Sequence, residues 1–214
     1  MNRAYYSDTV DGFLAADADG VIGALAVGHK FTLDPAQTDA WRAQVDTLRR
    51  VLADHRGCGA TVGFEYAIPR LGKRIDVVLV LGPVVFVLEF KVGERTFAAH
   101  AIDQVWDYAL DLKNFHESSH AAAIAPILIA TAAKAPTDAE IAGAPDGLLH
   151  PVRASAETLG DAIRAVLAYV AAPPIDPAAW SAGRYCPTPT IIEAATALYG
   201  GHAVTEISRS DASA

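Results

Sequence analysis

The sequence predicts an α/β fold built on a central mixed sheet of four to five strands flanked by helices. Three observations predict it. Residues 37–55 place apolar side chains at helical spacing, residues 61–92 hold three strand-like runs joined by short turns, and a nearly pure apolar run at 124–130 lies between two further helical patterns.

Residues 8–27 read as short helical pieces broken at Asp19-Gly20 and Gly23 and ending at Gly28. In the next segment Trp41, Val45, Leu48 and Leu52 fall on one stripe of an amphipathic helix that stops near Gly57 and Gly59. The period then changes. Thr61–Ile68, Arg74–Leu81 and Val84–Val92 are rich in strand formers, separated by Pro69-Arg70-Leu71-Gly72 and by Gly82-Pro83, and connections this short make the three antiparallel. Residues 100–115 return to a helix, with Ile102, Val105, Ala109 and Leu112 on one face and Asp103, Asp107 and Asp111 on another. Ile124–Ala130 reads as a buried central strand, and Leu148–Val152 as a candidate for one more. Ala156–Ala171 is helical on Leu159, Ile163, Val166, Leu167 and Val170 and ends before Pro173-Pro174. The proline pair divides the chain into a main domain, 1–172, and an appendage, 173–214. Within the appendage Thr188 can cap a helix with Pro189 at its first position, running to Gly200-Gly201 ahead of a polar tail.

With 214 residues, 52% of them hydrophobic and 20% charged, the chain can bury one core. Cys58 and Cys186 form no CxxC pair and no zinc spacing, which fits a reduced, cytoplasmic setting. The N-terminus lacks the basic-then-apolar order of a signal peptide, and no apolar run reaches the ~20 residues that span a bilayer, so no membrane role is expected. A net charge of −8 runs against simple phosphate binding. Even so, Arg70, Lys73, Arg74, Lys91 and Arg95 crowd into one stretch, where they could form a basic rim; the alternative is a solvated, mixed-sign surface.

That same stretch carries the candidate chemistry. Asp76 sits in the run Arg-Ile-Asp-Val-Val-Leu, and Glu89 and Lys91 in Phe-Val-Leu-Glu-Phe-Lys-Val. Charges avoid strands this apolar unless something compensates them. Glu89 and Lys91, two apart, point to the same side. A two-residue turn on Gly82-Pro83 pairs Leu81 with Val84, and counting back along both strands sets Asp76 opposite Glu89, with Cβ atoms ~5 Å apart. A one-residue slip would turn them to opposite faces. Two carboxylates that close repel unless a cation lies between them, and hard oxygen ligands suit Mg²⁺ or Mn²⁺. Lys91 could then orient or activate a water; the alternative is an Asp-Lys-Glu cluster that only stabilises itself. Glu65 is a candidate third carboxylate if the first hairpin pairs in the register that brings it beside Asp76, and a surface glutamate otherwise. Gln104 and Tyr108, four apart, share a helix face. His100, His116 and His120 could be metal ligands, but isolated histidines near a helix end are more often caps or surface residues.

The ordered set Asp76, Glu89-Phe90-Lys91 and Gln104-Val-Trp-Asp-Tyr108 resembles the D…ExK…QxxxY series of RecB-like PD-(D/E)XK nucleases. More narrowly, the segments from Phe64 to Asp76 and from Asp103 to His116 resemble the nuclease-like N-terminal region of bacterial Schlafen-like superfamily-one helicases. The resemblance implies a restriction-endonuclease-like core and Mg²⁺-dependent phosphodiester hydrolysis, with DNA favoured over RNA, in DNA processing or phage defence. It implies that Asp76, Glu89 and the Phe90 carbonyl hold metal, that Lys91 positions the attacking water, and that Gln104 and Tyr108 support the site. The clustered Arg70, Lys73, Arg74 and Arg95 are the candidate nucleic-acid contacts. Ile75 stands where the motif name has Pro. No GxxxxGK[ST] occurs, because position 67 is Ala upstream of Gly72-Lys73, so any helicase motor is a partner in the same or another chain. The competing expectation is a catalytically silent nucleic-acid-binding or docking module, which the acidic charge favours; a third is a toxin-like RNase.

Overall fold

The structure, a computed structural model, describes residues 3–29, 34–69, 71–134 and 141–186. Its elements in order are β1 (Tyr6–Thr9), α1 (Val10–Ala15), α2 (Ala18–Gly28), α3 (Pro35–Leu52), β2 (Thr61–Ile68), β3 (Lys73–Leu81), β4 (Val84–Lys91), α4 (Ala99–Phe115), β5 (Ala123–Ala130), β6 (Val152–Ala154), α5 (Leu159–Tyr169) and α6 (Pro177–Ala182). The strands form one six-stranded sheet in sequence order. Pairing is antiparallel from β1 to β4 and parallel from β4 to β6, so the sheet is mixed, as expected, with helices on both faces. No helix among the described residues is long and apolar enough to cross a membrane.

Each strong periodic signal became an element. Trp41, Val45, Leu48 and Leu52 are fully buried on α3, whose N-terminus is set by Asp34 accepting from the Ala36 N–H ahead of Pro35. The Gly82-Pro83 turn, with Gly82 at φ 56°, gives the expected register, Leu81↔Val84 through Val77↔Leu88. A parallel return from β4 to β5 needs a crossover, and α4 supplies it. β4 and β5 are almost continuously buried, as apolar central strands covered on both faces should be.

Three boundaries differ from the sequence reading. The helical pieces expected over 8–27 are α1 and α2, but α2 runs unbroken through Asp19-Gly20 and Gly23, and the break falls at Ala16-Asp17, where Asp17 caps α2. β1, which begins two residues ahead of them, was not expected: this four-residue edge strand, mostly exposed, is held by backbone pairing to β2 and has no apolar alternation to announce it. The strand expected at Leu148–Val152 is displaced to Val152–Ala154, with Leu148 and Leu149 making only isolated bridges; Pro151 between them has no N–H to give a ladder. The helix expected from Thr188 lies outside the described residues.

Two apolar clusters fill the faces of the sheet. One packs β2–β5 against α1, α2, α3 and α5, and the other packs them against α4 and α6. Strand alternation breaks at one step. Val62 and Phe64 on β2, and Val77, Leu79 and Leu81 on β3, belong to the first cluster, whereas Tyr66, Ile68 and Ile75 belong to the second. Both strands therefore turn over between these sets, at Glu65 and Asp76, the one step of the β2–β3 ladder left unpaired.

Candidate active site

Asp76 lies where β3 parts from β4. The ladder between them ends at Val77↔Leu88, yet β4 continues beside β5 through Lys91. Alternation in an antiparallel ladder would next join the Phe90 N–H to the main chain of Ile75. Instead Asp76 Oδ2 accepts from the Phe90 N–H at 2.8 Å, so its carboxylate fills the opening between the strands. Glu89 is 3% exposed, and its Oε1 accepts from Lys91 Nζ at 2.9 Å and from Gln104 Nε2 at 2.8 Å. Lys91 Nζ also donates to Gln104 Oε1 at 3.0 Å, and Gln104 Nε2 to the Tyr108 hydroxyl at 2.9 Å. One turn of α4 thus holds Gln104 and Tyr108 over the last residues of β4, and the network closes on itself.

The electrostatics are strained. Burial pushes the Asp76 carboxyl well above the usual carboxylate range, and Glu89 adds to the push, while the Phe90 N–H opposes it. Burial also raises Glu89, against the pull of Lys91. The Tyr108 hydroxyl is raised by burial, with Gln104 opposing. Glu89 Oε2 is buried and has no hydrogen-bond partner. A buried carboxylate oxygen with no donor is costly, and a cation beside it removes the cost.

Glu65 stands across from Asp76, since Phe64 pairs with Val77 and Tyr66 with Ile75. Its Oε1 accepts from Trp41 Nε1 at 2.8 Å and from Gln37 Nε2 at 3.5 Å. The bond from Trp41 to Glu65 escaped the sequence reading because the spacing of Trp41 marked it only as core; the available signal was that a buried indole N–H needs an acceptor. No cluster of three or more His, Cys, Asp or Glu side chains with metal-ligand placement occurs among the described residues. A cation at Asp76 and Glu89 would therefore rest on two carboxylates, the Phe90 carbonyl and water, which suits Mg²⁺, an ion that keeps several waters and takes one or two carboxylates.

Comparison with protein-family models, curated proteins and solved structures found no match for the chain.

The basic residues divide. Lys73 and Arg95 are exposed, and the Lys73 charge reaches Glu89 and lowers it. Arg74 is engaged within the chain: its guanidinium lies 4.0 Å over the Tyr5 ring and donates to the Glu65 carbonyl at 3.1 Å. Arg70 lies outside the described residues. Among the histidines, His116 is fully buried, with Nδ1 2.8 Å from Ser119 Oγ, a hydroxyl that also accepts from Trp180 Nε1 at 2.9 Å. Burial, and then Arg3, hold His116 down to about 4, so it is neutral at physiological pH and pins α6 to the end of α4. His100 and His120 are exposed.

Proposed function

We propose that the chain is a divalent-cation-dependent nuclease of the PD-(D/E)XK type that hydrolyses phosphodiester bonds, with DNA favoured over RNA. The observation that carries this reading is the buried Asp76–Glu89 pair, with Glu89 Oε2 left without a donor beside Lys91. Asp76, Glu89 and the Phe90 carbonyl would hold Mg²⁺ or Mn²⁺. When bound, the ion stabilises charge on the phosphate and leaving oxygen and lowers the pKa of a bound water.

The chain's own residues do the rest. Lys91 Nζ, aimed by Gln104 Oε1, is placed to orient the water whose oxygen bonds to phosphorus as the bond to a sugar oxygen breaks. Gln104 and Tyr108 restrain Lys91 and Glu89 and, with the buried floor of β4, exclude other water. Lys73 and Arg95 would meet the phosphates flanking the cut. On resemblance alone we place this activity in DNA processing or phage defence, beside a helicase motor in the same or another chain.

A second reading is a catalytically silent nucleic-acid-binding or docking module, and the net charge of −8 favours it. Incubation with labelled single- and double-stranded DNA and RNA, with Mg²⁺, Mn²⁺ or chelator, separates the two. A nuclease cleaves only with the cation, and Lys91→Ala lowers the rate on the order of 10²-fold or more. Binding without cleavage supports the silent module, and cleavage unchanged by Lys91→Ala rejects the assigned centre.

A further inference from the structure

A cavity of about 310 Å³ opens on the α6 side of the sheet, between β1–β3 and α6. That volume lies at the lower end of the range of small-ligand sites. The strand register explains the opening. Ser7, Gly63 and Val78 form one row across the three strands and Thr9, Thr61 and Val80 the next, and Gly63 leaves the middle of the floor without a side chain. A Cβ there would meet nothing nearer than Ala4 Cβ at 3.4 Å. The buried part of the lining is aromatic: Tyr66 and Trp180, 5% and 4% exposed, stand with ring centroids 5.7 Å apart. The exposed part carries hydroxyls, those of Ser7, Thr9 and Ser181. The Tyr66 hydroxyl is buried and has no hydrogen-bond partner. Arg3, whose charge reaches that hydroxyl, is held on the Ser181 carbonyl and beside His116 Nε2, at 3.4 Å from each. Among the described residues that line the cavity only Asp8 is charged, and its carboxylate is engaged beside Tyr6, accepting from the Tyr6 hydroxyl at 3.3 Å and from the Thr9 N–H at 2.7 Å.

We propose that this cavity binds an uncharged nucleoside, with its base against Tyr66 and Trp180 and its sugar at the exposed rim. The chemistry of the lining selects that class. A nucleobase is a flat ring that stacks on aromatic side chains, and its polar edge supplies the partner that the Tyr66 hydroxyl lacks. The sugar hydroxyls then meet the hydroxyls of Ser7, Thr61 and Ser181. A purely apolar ligand would leave the Tyr66 hydroxyl unpaired, and a phosphate would find no Lys or Arg among the described lining residues. The inference is independent of the nuclease reading, since the cavity uses neither Asp76, Glu89 nor Lys91.

Calorimetric titration of the full chain with adenosine, guanosine, cytidine and thymidine, each beside its monophosphate, and with indole tests this. At least one nucleoside is expected to bind saturably, and its monophosphate and indole more weakly. Tyr66→Phe keeps the ring and removes a hydroxyl that has no partner in the free protein, so it should melt no lower than wild type. It should nonetheless bind the nucleoside roughly 10-fold more weakly. Gly63→Val sets a β-branched side chain into the floor at a strand position that suits one, and should abolish binding. Absence of saturable binding by all four nucleosides overturns the inference. So does a monophosphate or indole bound as tightly as the nucleoside, or wild-type affinity in Tyr66→Phe or in Gly63→Val. If Gly63→Val does not fold, the Tyr66→Phe result decides.

Discussion

Asp76 and Glu89 carry carboxyls that burial pushes up, and at Asp76 the charge of Glu89 adds to the effect. Because both folded values lie above those of the unfolded chain, the folded state holds more protons between the two; the stability these groups contribute is full at low pH and lost as pH rises through the raised values. A bound cation removes that loss. Asp76→Asn keeps an oxygen for the Phe90 N–H while deleting the charge, so at pH 8 without divalent ions its Tm should exceed wild type, by about 2–4 °C for each 1 kcal/mol relieved. In calorimetry, Mg²⁺ should raise the wild-type Tm and leave Asp76→Asn unmoved; a wild-type Tm indifferent to Mg²⁺ contradicts the account. The register of β3 and β4 as far as Val77↔Leu88 was legible in the sequence because turn length fixes it; the expected next pair, Asp76 opposite Glu89, does not form, because the ladder stops one step short and Asp76 turns to accept from the Phe90 N–H. The left-handed Glu65 and its bond to Trp41 were not legible, since neither spacing nor residue type signals where a ladder opens.

Among the elements, α3, the β2–β4 meander, α4 and β5 could be read directly, because each buries a stripe or a face with its own period. β1 and α6 could not, and for different reasons. β1 is held by backbone pairing that leaves no side-chain pattern. α6 is a six-residue helix capped by Asp176 with Pro177 at its first position, too short for a periodic stripe. Its weight comes from Trp180, 4% exposed, 4.7 Å from the His116 ring and 5.7 Å from Tyr66. Along the same segment the Ile175 N–H donates to the Gly82 carbonyl at 2.8 Å, and Tyr185 bridges His116. Residues 173–186, which follow the proline pair, therefore pack on the same sheet as the candidate site. Trp180→Ala should cost about 3–5 kcal/mol in urea unfolding, the range for a buried aromatic truncated in a core. A loss under about 1 kcal/mol would mean that α6 is docked without contributing stability.

Across the whole molecule, the sheet changes at β4 from antiparallel to parallel pairing, and the candidate centre lies where β3 leaves that junction. Glu89 and Lys91 stand at the carboxyl end of β4, the end at which ligands collect on parallel strands, and α4 covers them from one face. The net charge of −8 sets a repulsive background for phosphate, so nucleic-acid binding should depend on the few exposed cations, Lys73 and Arg95 among them, and weaken steeply with salt. The strand that opens at Asp76, the orphaned Glu89 Oε2 and the locked Lys91 all converge on one claim, that this end of the sheet is built around a divalent cation. Crystals soaked in Mn²⁺ and measured for its anomalous scattering test that claim most directly. The expected result is a peak bounded by Asp76, Glu89 and the Phe90 carbonyl, with Lys91 Nζ released from Glu89. Crystals with an accessible site that show no such peak at saturating Mn²⁺, with the Lys91–Glu89–Gln104 network still closed, would contradict it.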